Sequence, residues 1–256
     1  MTCQGVADTS GTGTDNVELV HPIERLRFVA RAARVSPSIL AAEAAWALAD
    51  LAEEEVPALV PACRRLLDRQ PGCGPLWWLA ARVLCAGDPV TEAQQCARDL
   101  EGDPTSVLML QALPEGARVV RRGGMGDAVS AEFVVLEVDA LGPTGMVVDS
   151  SCTGLLSAAR SAEVPVWVEA GVGRVLPSAL WEAMTARLAS SQRPEAHGSR
   201  PGSDARPAWT PGPRGHSTLL DHRGVELVVG PEGAQSLQRA IADSCVPGPP
   251  ELLEGF

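Results

Sequence analysis

Residues 131–170 read AEFVVLEVDALGPTGMVVDSSCTGLLSAARSAEVPVWVEA, and this stretch decides the fold. Phe133 to Val138 is an almost unbroken apolar run, as expected of a strand buried on both faces of a parallel sheet. Met146 to Val148 is a second short extended piece. Thr153 to Ala162 has helical composition, and Val164 to Val168 is a strand again. Strand, turn, helix and strand in that order predict a βαβ unit of a parallel α/β sheet with a right-handed crossover.

Moving outward, Ala117 to Arg121 is a short β-branched run, and Val225 to Val229 reads as the last strand. Gly233 to Asp243 reads as a final helix before a Pro-rich exit. Gln192 to Gly215 is dense in Arg, Pro, Gly and Ser without periodicity, which predicts a flexible loop at about 190–215. Towards the N-terminus the period becomes helical. Ile23, Leu26, Val29 and Ala30 recur at helical spacing. Ser36-Pro37 precedes a helix over Ile39 to Glu55, and Val56 to Arg69, Leu76 to Cys85 and Thr91 to Leu100 follow. Residues 1–20 have little to bury and read as a disordered tail. The expected organisation is α/β, with a helical domain at 21–105 followed by a parallel-sheet domain at 106–256.

Composition excludes several functions. The formal net charge is -11 over 256 residues, which disfavours binding to nucleic acid or an anionic membrane. Every basic residue is Arg, and the chain has neither Lys nor Tyr. Schiff-base chemistry, a Walker-A loop and a phenolic acid or base are therefore ruled out. Seven cysteines occur without any C-x-x-C pair, which reads as free buried thiols in a reducing cytoplasm. No signal peptide and no bilayer-spanning run are evident. The pattern calls for no metal and no cofactor.

Three features could carry chemistry. Arg121, Arg122, Gly123, Gly124 and Gly126 form a basic, Gly-rich turn after a strand, where backbone N–H groups suit a phosphate. A plain tight turn explains the same residues. Asp139 ends a buried strand, where open α/β sheets bind ligands, and it reads as a general acid or base or as a turn-capping Asp. Ser150, Ser151, Thr153 and Gly154 precede or open a helix. Ser150, Ser151 or Thr153 reads as the N-cap, with free N–H groups at the same end of the sheet as Asp139. His21, His197, His216 and His222 show no triad or metal spacing.

The run from Ala131 to Ala140, Gly145 to Val148, Cys152-Thr153-Gly154 and Val164 to Val168 together resemble one superfamily. It comprises the regulatory α-, β- and δ-type subunits of translation initiation factor 2B and related aldose–ketose isomerases of methylthioribose 1-phosphate or ribose 1,5-bisphosphate. Pro114 to Val120 and Val225 to Gly233 extend the likeness to the family's first and last sheet strands. The resemblance implies a helical domain, a reduced Rossmann-like domain, a homodimer and an interdomain pocket for a phosphorylated sugar or nucleotide. It places Asp139 at the isomerases' catalytic Asp. Their catalytic Cys is missing at Arg121-Arg122-Gly123-Gly124, their Arg-Pro phosphate contact falls at Gly74-Pro75, and their Asn-Lys pair at Asp149-Ser150. Losing one proton-transfer partner typically reduces rate by about 10² to 10⁴. The reading adopted is a non-catalytic ligand-binding or regulatory relative. An isomerase with a rearranged site, using Asp139 as base and Arg121 or Arg122 on phosphate, is one alternative. A structural protein-interaction subunit is the other.

Overall fold

The computed structural model describes residues 21–31, 35–121, 130–192 and 217–254. The expected tail and all but residues 190–192 of the expected loop lie outside these residues, as do His197 and His216. Helices α1 (Pro22–Arg31), α2 (Pro37–Glu54), α3 (Leu59–Arg69), α4 (Gly74–Cys85) and α5 (Pro89–Glu101) form the N-terminal layer. Proline opens α2, α4 and α5, where its missing N–H leaves no bond unmade. Asp88 caps α5 by accepting the Thr91 N–H at 3.2 Å. Helix α2 is buried on most sides, and its alanines let α5 pack closely through Ala93, Cys96 and Ala97.

Helix α6 (Thr105–Ala112) leads into the main sheet. Its strands are β1 (Val119–Arg121), β2 (Phe133–Glu137), β5 (Val166–Glu169), β7 (Val225–Gly230) and β8 (Gly233–Gln235), in that spatial order. The first four are parallel and β8 is antiparallel. A second, antiparallel sheet holds β3 (Ala140–Gly142), β4 (Gly145–Asp149) and β6 (Ser217–Leu220). Met146 to Val148, read from sequence as a short extended piece, is thus part of β4 in the antiparallel sheet and not of the parallel one. Glycines explain the detour. A Cβ on Gly142 would lie 2.1 Å from the Trp181 ring, and one on Gly145 would lie 2.5 Å from the Leu220 carbonyl. The parallel pair β2–β5 and the intervening α7 (Cys152–Ser161) remain as expected.

The segment 233–243 is also corrected. Gly233, at φ +99°, turns the chain into β8, and only then does Ser236 cap α9 (Leu237–Ala242) by accepting the Arg239 N–H. Helix α8 (Ser178–Gln192) sends Leu180, Trp181, Met184 and Leu188 into the core of the helical layer. One face of the main sheet packs Val134, Leu136, Val166 and Val168 against Cys152 and Leu156 of α7 and Leu237 of α9. The other face is covered by α6, whose Met109 meets Val135 and Val229. After α9 the chain returns to the helical layer. Leu252 of α10 (Pro250–Leu253) joins that core, and Arg64 Nε donates to the Glu251 carbonyl at 3.0 Å. Cys63, Cys73, Cys96 and Cys152 are buried, whereas Cys85 and Cys245 are exposed, a correction to the uniformly buried reading. Among the described residues no helix is long and apolar enough to cross a membrane.

Candidate functional site

Three neighbouring parallel strands end in charged residues: Arg121 on β1, Glu137 on β2 and Glu169 on β5. Glu137 and Glu169 are register partners, so the period of two brings both side chains to the α6 face. Glu169 is 8% exposed. It accepts from Arg121 Nη1 at 3.1 Å and from the Ser106 hydroxyl on α6.

The chain after β5 supplies the central cation. Gly173, at φ +73°, lies against Trp78 and turns Arg174 inward. Arg174 is 5% exposed. Its Nη1 donates to the Val138 carbonyl at 2.6 Å, and its Nη2 donates to Ser38 Oγ at 3.0 Å and Glu137 Oε1 at 2.8 Å. Its Nε is buried with no hydrogen-bond partner among the described residues. A guanidinium so placed ties the start of α2 to the end of β2.

These groups line a cleft of about 210 Å³ between the helical layer and the sheet. Ser36 and Ser38 at the start of α2 form one wall, and Glu137, Glu169 and Ser106 the other. Asp103 also borders it, but its oxygens are committed. One accepts the Thr105 N–H at 2.9 Å and the other the Val172 N–H at 2.9 Å. A Cβ on Gly171 would lie 2.1 Å from that second oxygen, so the close approach requires glycine.

Asp139 does not line this cleft. Its backbone carbonyl accepts the Gly74 N–H at 3.0 Å, its N–H donates to the Val147 carbonyl at 2.8 Å, and its carboxylate accepts from Ser217 Oγ at 3.4 Å. Burial lifts its pKa to about 6, against the pull of Arg174, while Glu137 and Asp149 add to the rise. Beside it, burial pushes the Cys73 thiol up to about 12, so it stays protonated at neutral pH.

The structure thus divides the residues expected from sequence. Arg121 reaches the cleft edge through Glu169. Arg122, Gly123, Gly124 and Gly126 lie outside the described residues. Ser150, Ser151, Thr153 and Gly154 are exposed at the start of α7, away from the cleft. Ser151 holds the N-cap position without a side-chain cap bond, and the Asp149 carboxylate accepts the Ser151 N–H at 2.9 Å instead. Glu137, Glu169, Arg174 and Ser38 were not among the expected residues. A glutamate closing each of two neighbouring apolar strands was the available signal.

No protein-family model matches the chain, and no curated protein matches it either. Solved structures do. A chain in the tetrameric eIF2B-beta2-delta2 complex from C. thermophilum matches with TM-score 0.62 at 13% identity, over 86% of this chain and 92% of that one. The Pyrococcus horikoshii OT3 translation initiation factor eIF-2B matches with TM-score 0.62 at 13% identity, over 86% of this chain and 98% of that one. The eIF2B beta subunit from Chaetomium thermophilum gives TM-score 0.57 at 13% identity, over 89% and 94%. The fold is therefore eIF2B-like.

Proposed function

We propose that this chain is a cytoplasmic, homodimeric, eIF2B-like regulatory protein that binds a phosphorylated sugar or nucleotide without transforming it. The position of Asp139 carries the non-catalytic part. A general base must come within about 2.6–3.2 Å of the atom that carries the proton it moves, or reach it through one water. The described carboxylate best tuned for that work lies outside the cleft, and the adjacent Cys73 thiol is too weak an acid to partner it.

Binding is supported by the start of α2. Ser36 stands at its N-cap without a side-chain cap bond and lines the cleft with Ser38, so the positive end of the α2 dipole lies beside Arg174. An anionic group at that end would meet a fixed positive field. Dimerisation is supported by α6, which buries Met109 but leaves Val107 58% and Leu110 65% exposed. A surface helix that turns large apolar side chains to solvent is suited to burial in an assembly.

A second reading, an aldose–ketose isomerase using Asp139 as base, is favoured by a carboxyl near 6, close to a working pH. Thermal denaturation with ribose 5-phosphate, ribose 1-phosphate or AMP tests the binding reading. Ligand at a hundred times its Kd should add about 2.7 kcal/mol, or about 5–10 °C in Tm. No shift with any of the three overturns it, and turnover of a sugar phosphate establishes the second reading instead.

A further inference from the structure

We propose that the outer edge of β1 docks an extended segment of another protein, apolar at alternate positions and acidic at the end that meets Arg121. The surface shares no lining residue with the cleft, so the proposal holds whether or not the cleft binds a sugar phosphate.

Strand β1 is the outermost strand of the main sheet, and among the described residues only β2 pairs with it. The Arg118 carbonyl accepts the Glu132 N–H at 2.8 Å and so faces β2. Backbone groups alternate in direction along a strand, so the N–H and C=O groups of Val119 and Arg121 face outward. An unpaired edge is a template for a further strand. Beside this edge runs a groove of about 470 Å³, walled by Leu110, Leu113, Pro114, Ala117 and Val119. Glu115 borders it before the strand and Arg121 at the strand's end.

The side chains set the chemistry of the segment. Val119 and Arg121 are two positions apart, so both lie on the α6 face of the sheet. That face is thinly covered: Met109, Val135 and Val229 are buried there, while Leu113 and Val119 pack on them only partly buried. An added strand would set one residue beside Val119 and, two positions along, another beside Arg121. The first completes the apolar cluster. The second meets a guanidinium that is still 40% exposed, although it holds Glu169, whose own carboxylate is buried. A carboxylate there is attracted, and Glu115 at the other end favours a basic residue. Main-chain bonds supply the affinity of such strand addition, and the flanking side chains its selectivity. Leu110 also belongs to the α6 face assigned to the dimer, so the segment and a second copy compete for it.

The test titrates the full chain into a fluorescent heptapeptide of alternating threonine and valine, with glutamate at one end and lysine at the other. Anisotropy should saturate, and N-methylation of the peptide's amides should weaken binding about tenfold to a hundredfold as main-chain bonds are lost. Exchanging the glutamate for lysine should weaken it about twofold to tenfold. Hydrogen exchange on the unmodified chain should slow at the amides of Val119 and Arg121 when the peptide is added. No saturation up to about 1 mM, or an affinity indifferent to N-methylation, overturns the docking site. Slowing confined to residues away from β1 overturns it too. Equal binding of the lysine peptide overturns the acidic assignment. A dimer that neither binds the peptide nor dissociates in its presence gives the edge to a second copy and overturns the proposal.

Discussion

Replacing Asp139 by Asn should stabilise this protein, and only above about pH 5. Burial holds the carboxyl at about 6 against an ordinary 3.8. At ~1.36 kcal/mol per pH unit, keeping it ionised at pH 7 costs about 3 kcal/mol of folding free energy. The folded-state pKa is raised, so folding takes up a proton. The favourable contribution is complete below the unfolded value and disappears as pH rises through about 6. Arg174 moderates the penalty; Glu137 and Asp149 worsen it. An asparagine has the same shape, can still accept from Ser217 Oγ, and carries no charge. The assay is urea unfolding of both proteins from pH 4 to pH 8. Their stabilities should nearly coincide at pH 4 and diverge to about 3 kcal/mol by pH 7.5, or about 6–12 °C in Tm. Titrations shared by both proteins cancel in the difference. A difference that stays flat with pH, or an asparagine variant less stable at pH 7.5, would refute the argument that burial dominates at this site.

Two further outcomes follow from packing. Gly142→Ala sets a methyl group 2.1 Å from the Trp181 ring, so the β3–β4 hairpin must shift, and denaturant unfolding should show a loss of about 1–3 kcal/mol. Leu110→Glu puts a charge on the exposed face of α6, and light scattering after size exclusion should then report the 26.7 kDa monomer where the wild type gives twice that mass. A wild-type chain that is monomeric at micromolar concentration would remove the homodimer proposal.

The parallel core was legible because its strands are short, apolar and bounded by turn residues, as Phe133 to Val138 and Val164 to Val168 illustrate. Helices α6 and α8 were not. Helix α6 carries apolar residues on its exposed as well as its buried side, and α8 spaces Leu180, Trp181, Met184 and Leu188 with Ala, Ser and Thr, so neither shows a clean polar face. The β3–β4 hairpin was hidden for a different reason. Nothing local in Met146 to Val148 distinguishes a parallel from an antiparallel strand, and its partner β6 lies some seventy positions on, with Met146 paired to Leu220. At the cleft, Glu137 and Glu169 were visible as the charged ends of apolar runs. Arg174 was not, because a lone arginine in a Gly-rich connection has no periodic neighbour to announce it. The turn at Gly173 and its partners Val138, Ser38 and Glu137, all distant in sequence, give it a place.

The return of α10 to the helical layer has a consequence for synthesis. Arg64 and Glu251 are 187 positions apart, yet they meet, and Leu252 seals the same core as Leu48 and Trp77. Emerging from the ribosome in order, α1 to α5 would wait for α8 and then α10 before their apolar surface closes. Contacts this distant in sequence slow folding and leave the waiting surface open to association with other chains. Helix α10 therefore acts as the closing stitch of α1 to α5, and a nascent chain should depend on chaperones in proportion to the time it waits for that helix.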